Sequence, residues 1–110
     1  VGKVSEVFDK HGVVLPRVER NRCPDGWAQL IDDMLTRMPK PLPKFHQIKE
    51  KLAGLRVYAE GPTPEQAHLI REAERLSSTV CQKCGEVSTG VSTVTRGHVL
   101  ITLCPCCAKL

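Results

Sequence analysis

Aromatic residues are scarce in this sequence. Phe8, Trp27, Phe45 and Tyr58 are the only four in 110 residues, so Val, Leu, Ile and Ala must supply nearly all of the burial and the core must be modest. Long apolar runs are missing too. No stretch approaches the roughly 18 residues of a membrane span, and the opening VGKVSEVFDK lacks the apolar segment of a signal peptide. The expectation is a soluble cytoplasmic protein with no membrane partner, and a start at Val1 rather than Met leaves room for residues upstream.

Enzyme signatures are equally thin. There is no glycine loop of the kind that cradles phosphate. Zinc deaminases need HxE upstream of PCxxC, but two residues after His11, His46, His68 and His98 stand Val13, Ile48, Ile70 and Leu100, and three after Cys106 stands Lys109. Where a ββα-metal nuclease often carries a histidine after its cysteine knuckle, this chain has Ala108. Asp32, Asp33, His46 and Glu50 are the only polar cluster that could be nominated for catalysis. Their positions on a helix and a hairpin read as surface groups.

Cysteine is plentiful but uneven. Five of the six fall in the last thirty residues, in VCQKCG and TLCPCC, and without a secretion signal such spacing points to metal binding in a reducing compartment. Cys81 and Cys84 form one CxxC, and Cys104 and Cys107 form a second after nineteen intervening residues. Two residues between thiolates let the backbone fold into a tight knuckle that turns both sulfurs toward one ion. Gly85 then suits the positive φ at the end of that turn. Between the knuckles, VSTGVSTV and HVLITL are β-rich and meet at Arg96 and Gly97, so a hairpin with a knuckle at each end is predicted.

This is the pattern of a zinc ribbon, with paired disulfides and a redox dithiol as the alternatives. Four thiolates would close the coordination sphere and make Zn²⁺ a structural cofactor. Cys106 lies too near Cys104 for the usual knuckle and reads as a near-site thiol. Cys23, distant in sequence, reads as a small buried residue. His98, on the ribbon, reads as facing solvent.

The formal charge of +4 overstates the basic character, because four thiolates around a divalent ion reduce it to about +2. The cations are nonetheless uneven. Lys40, Lys44, Lys49, Lys51 and Arg56 stand against only Glu50 and Glu60 between positions 39 and 60, which makes a positive face a candidate for contact with nucleic acid or another partner and a solvated surface the ordinary reading.

Along the rest of the chain, Val4, Val7 and Phe8 suggest an amphipathic turn, and HGVVLPRV a short β-branched run ended by Pro16. In NRCPDGWAQLIDDMLTRM, Pro24 and Asp25 supply helix-start chemistry, and Trp27, Leu30, Ile31, Met34, Leu35 and Met38 recur at helical spacing. PKPLP reads as a connector. KFHQIKEKLAGLRVYAEG reads as a hairpin turning near Gly54, with Leu55, Val57 and Ala59 on its apolar side. In TPEQAHLIREAERLSS, Thr63 and Gln66 form a capping box around Pro64, and Ala67, Ile70, Ala73 and Leu76 or Ser77 make the apolar stripe, widened by Leu69. The predicted fold class is α+β, a small helix-hairpin-helix core over residues 1–78 with a C-terminal four-cysteine zinc ribbon over 79–110, packed as one unit.

Four stretches carry a resemblance: CPDGWAQLIDDML (residues 23–35), QIKEKLAGLRVYAE (47–60), LIREAERLSSTVCQKCG (69–85) and TLCPCC (102–107). Together the chain resembles a family of small, uncharacterised phage and prophage proteins that share a CxxGWxxLI helix start, a KEKFGGLRFY-like hairpin, a helix ending near AExxS, and a CxxCG to LCxxC zinc pair. The likeness covers about three quarters of the chain. It departs at Leu52 and Ala53, where the family tends to have Phe-Gly, and at Val57, where it tends to have Phe, so a smaller hairpin core is expected. The resemblance implies an accessory protein of the bacterial host's cytoplasm that binds host machinery or nucleic acid, or inhibits a defence system in the anti-CRISPR manner. The closed metal site and the missing catalytic constellation make the expectation a non-enzymatic module docking on a host protein complex. A nucleic-acid-binding zinc ribbon for transcription or DNA processing is the alternative.

Overall fold

Val4, Val7 and Phe8 do lie on one helical face. In the computed structural model, which describes residues 2–109, α1 (Val4–His11) buries all three and ends at Gly12, whose φ of +67° lets its N–H reach the carbonyls of Asp9 and Phe8. The β-branched run after it forms no strand. It lies across the core with Val13 and Leu15 buried and Val14 exposed. Asp25 opens the 3₁₀ turn that leads into the helix following it, and it also serves α1. Its Oδ1 accepts a hydrogen bond from the Val4 N–H at 3.0 Å and so satisfies an amide at the start of α1. The second helix opens with a 3₁₀ turn (Asp25–Trp27) and continues as α2 (Ala28–Arg37). Trp27, Ile31, Met34 and Leu35 are buried along it, with Met38 just beyond.

The PKPLP connector contains a cis Lys40-Pro41 bond and is tied down by Gln66, whose Nε2 donates to the carbonyls of Pro39 and Pro41 at 2.8 and 2.9 Å. The same Gln66 completes the capping box with Thr63 at the start of α3 (Pro64–Leu76).

Between connector and α3, β1 (Lys44–Lys51) and β2 (Gly54–Glu60) form an antiparallel hairpin, with Ile48 opposite Val57, Lys49 opposite Arg56, and a register shift at His46. Its turn residues Leu52 and Ala53 both take positive φ, 53° and 68°, conformations that favour Gly or Asn. Glu50 supports the turn by accepting from the Ala53 N–H at 2.8 Å. The expected consequence of the Leu52 departure is therefore corrected: that side chain is 71% exposed at the tip, so its size does not alter the core. Val57, by contrast, is buried. Both hairpin edges are covered. The Glu50 N–H donates to the Arg22 carbonyl, while Ser77 Oγ and Glu74 Oε2 accept from the Leu55 and Val57 N–H groups at 3.1 and 2.9 Å.

The C-terminal part is a second antiparallel pair, β3 (Ser92–Arg96) and β4 (Val99–Leu103), followed by a short helix α4 (Pro105–Ala108). Its small core of Cys81, Val91, Leu103, Cys104 and Cys107 is distinct from the larger one formed by the two long helices, α1 and the first hairpin. The two are joined through several contacts. Trp27 Nε1–H donates to the Val80 carbonyl at 2.9 Å, and the Gly26 N–H to the Gln82 carbonyl at 3.0 Å. Fully buried Thr102 donates from Oγ1 to the Ala53 carbonyl at 2.9 Å, while its N–H bonds Gln82 Oε1 at 2.7 Å. The chain is thus a mixed helix and sheet structure with two small antiparallel sheets and a cysteine cluster at its C-terminal end. No helix among the described residues is long and apolar enough to cross a membrane.

Candidate metal centre

Two turns build the cluster. At the first, Gly85 takes φ +83° and its N–H donates to the Cys81 carbonyl at 3.0 Å. At the second, Cys104 stands before α4, and its Sγ accepts from the Cys107 N–H at 3.4 Å. Pro105 at the first helical position fixes the backbone where no donor is needed. The turns bring Cys81, Cys84, Cys104 and Cys107 together with all four sulfurs within 4.8 Å of one another, and Cys84 Sγ lies 3.6 Å from Cys104 Sγ. A metal with bonds of about 2.3 Å to four thiolates at tetrahedral angles requires sulfur separations of about 3.8 Å. The donor set fits such an ion.

Electrostatics agree. For Cys81, burial raises the pKa, but backbone donors from Cys84, Cys104 and Lys83 outweigh it and bring the thiol down to about 6. Cys107 is pushed up to about 12, first by its hydrogen bond with Cys104, then by burial and the other cluster sulfurs. Such crowding resists four simultaneous thiolates unless a cation lies among them. Three of the ligands are buried and Cys84 is exposed, so the centre sits at the surface of its small core.

Cys106 is exposed and outside the cluster, as its spacing suggests. His98 is exposed in the turn between β3 and β4, away from the sulfurs. Cys23 is buried, and burial, followed by the charges of Asp25 and Glu50, raises its pKa to about 12. At pH 8 in the native chain, iodoacetamide is expected to label Cys106 while Cys23 stays unmodified, read by peptide mass spectrometry. Equal labelling of the two would contradict the burial of Cys23.

No family model, curated protein or solved structure matches this chain. What the site can do therefore rests on its own geometry.

The four residues nominated for catalysis do not converge. His46 pairs with Glu60 at 3.2 Å, Glu50 braces the hairpin turn, and exposed Asp33 accepts from Gln29 at 2.8 Å. Asp32 is not a surface group. Neighbours on a helix point about 100° apart, so Asp32 turns inward and is buried, with Oδ1 2.6 Å from His11 Nε2 and both oxygens 3.1 Å from Lys10 Nζ. This pairing spans 21 residues and carries no sequence signal.

The hydrogen bond from His11 lowers the Asp32 pKa against the opposing effect of burial, and Lys10 lowers it further. A depressed folded-state pKa contributes stability above the unfolded value of about 3.9 and loses it as pH falls through the folded value. The urea midpoint of the wild type should therefore drop between pH 5 and 3 more than that of Asp32→Asn. Parallel curves would deny Asp32 this role.

Of the five nominated cations, four emerge from one side of the first hairpin. Lys44, Lys49 and Lys51 alternate with inward Phe45, Ile48 and Glu50, and Arg56 faces Lys49 across the strands. Tyr58 shares that side, with Lys49 Nζ 5.7 Å from its ring centre. Lys40 does not join them: its Nζ donates to the Leu35 carbonyl at the end of α2. Sequence separation alone grouped it with the rest.

Proposed function

We propose that this chain is a non-enzymatic binding module: a helix-hairpin-helix core closed by a C-terminal four-cysteine zinc ribbon, docking on nucleic acid through the outer side of β1–β2. The observation that carries this reading is the row of Lys44, Lys49, Lys51 and Arg56 along one side of the hairpin, with half-exposed Tyr58 on the same side and in contact with Lys49. Among the described residues of that side, Glu60 is the only acid, and it is engaged by His46. Cations alternating along a strand follow a phosphate backbone, and an exposed aromatic ring between them gives a base a stacking surface. The closed thiolate sphere leaves zinc a structural part, with no open position for substrate.

Docking on a host protein, as the phage resemblance implies, is the second reading. It is favoured by apolar residues left exposed at the tip of the second hairpin, where Val99 is 61% and Leu100 39% accessible. In that reading the chain acts in the bacterial cytoplasm, against a defence complex.

A mobility-shift titration with single-stranded oligonucleotide at several salt concentrations separates the two. Four phosphate contacts give a slope of log K against log salt of about −3, and the double variant Lys49→Ala, Arg56→Ala should reduce its magnitude by about 1.4. No binding by the wild type at low salt would remove the nucleic-acid reading.

A further inference from the structure

A second group of cations lies away from the sulfur cluster and meets the hairpin face only at Lys44. The end of α1 and the connector that follows α2 enclose a cleft of about 370 Å³ whose lining includes His11, Val13, Lys40, Leu42, Lys44 and Phe45. Its volume lies within the range of small-molecule sites, which combine apolar walls with a few convergent polar groups. Three of these lining residues carry basic groups, and among the described residues no acidic one lines the cleft.

The basic groups are set in distinct ways. His11 is largely buried, with its side chain 10% exposed, and its Nε2 is held by Asp32 from behind. That leaves Nδ1 as the ring atom able to meet a ligand, as a donor once the ring is doubly protonated. Lys40 uses one of its three donors on the Leu35 carbonyl. Lys44 stands at the start of β1, where the cleft meets the basic hairpin side. Val13, Leu42 and Phe45 supply apolar wall between them.

We propose that this cleft binds a small organic anion, its acid group meeting His11, Lys40 and Lys44 and its apolar body lying on Val13, Leu42 and Phe45. Charge complementarity selects the acid group, since Lys40 and Lys44 line the site and the nearby Asp32 carboxylate is already taken by His11 and Lys10. The apolar wall selects an organic body over a bare inorganic ion. A carboxylate and a phosphate monoester share the required oxygens. This inference shares Lys44 with the hairpin surface, and its test rests on His11 and Lys40, which lie off that surface.

The test is an amide-shift titration of the zinc-loaded full chain with phenylacetate, phenyl phosphate and the neutral benzyl alcohol. At least one anion should saturably shift the amides of Gly12, Val13 and Phe45, binding about tenfold tighter than the alcohol, a difference of about 1.4 kcal/mol. The better of the two anions identifies the acid group. Lys40→Gln, on an exposed side chain, should weaken the anion at least about threefold and leave the alcohol unchanged. His11→Gln should do the same, and Lys40→Gln keeps the test decisive if that variant fails to fold. Absence of saturable shifts from both anions, equal affinity for the alcohol, or unchanged anion affinity in Lys40→Gln would each overturn the proposal.

Discussion

Cys107→Ser is expected to abolish stoichiometric zinc binding and to unfold the C-terminal hairpin, while Cys106→Ser keeps the zinc content of the wild type. The first removes one of the four clustered sulfurs, the second an exposed thiol outside the cluster. Among the described residues the small core around the centre buries Val91 and Leu103 besides three of the cysteines, with Val94, Ile101 and Ala108 partly buried against them, too little apolar surface to hold two short strands by itself. Structural zinc contributes on the order of 10 kcal/mol to the folding of small thiolate sites at neutral pH, and that contribution depends on the complete ligand set. Zinc analysis by mass spectrometry of the native protein, together with amide exchange across β3 and β4, reads both effects. α1, α2 and α3 should stay protected, because their core is separate. Loss of zinc in Cys106→Ser would overturn the ligand assignment.

Gly26→Ala is expected to be the most damaging change outside the sulfur cluster. A Cβ built there lies 2.3 Å from the Cys81 carbonyl oxygen and the Gln82 carbonyl carbon, and 2.4 Å from the Gln82 oxygen. All three are backbone atoms of the first cysteine turn, which cannot rotate away as a side chain would. Relief requires pushing the turn off the start of α2, breaking the Gly26 to Gln82 hydrogen bond and straining the neighbouring Trp27 to Val80 contact. Overpacking of a well-filled site typically costs about 1–3 kcal/mol. Against rigid backbone with a buried hydrogen bond at stake, a loss of about 3 kcal/mol or more is expected. Urea unfolding of the zinc-loaded protein measures it, and a loss under about 1 kcal/mol would show that the two parts are not locked at this point.

Features whose physics is local were legible in the sequence. The paired CxxC spacing, Gly85 after the second cysteine, and the Thr63, Pro64 and Gln66 signature each depend on residues within one turn, and each is found in the structure. The hairpin was legible through alternation, but its turn was not, because Leu52 and Ala53 adopt positive φ against their own preference. Tertiary contacts, including the docking of Ala53 against Thr102 and the brace from Glu50, hold them there. Long-range pairings were invisible for the same reason. Asp25 opens its own helix as read but also satisfies an amide of α1, and Asp32 read as a surface acid although His11 and Lys10 bury it. Gly26 stood in the resembling GW pair, yet the reason for a glycine appears only once Cys81 and Gln82 are seen against it.

Zinc K-edge X-ray absorption on the purified chain tests the metal centre most directly. Four sulfur scatterers at about 2.3 Å, with no oxygen or nitrogen in the first shell, are expected from a closed site of Cys81, Cys84, Cys104 and Cys107. A shell containing a water oxygen or a histidine nitrogen would contradict it, by reopening the coordination position that the structural reading of this centre requires to be closed.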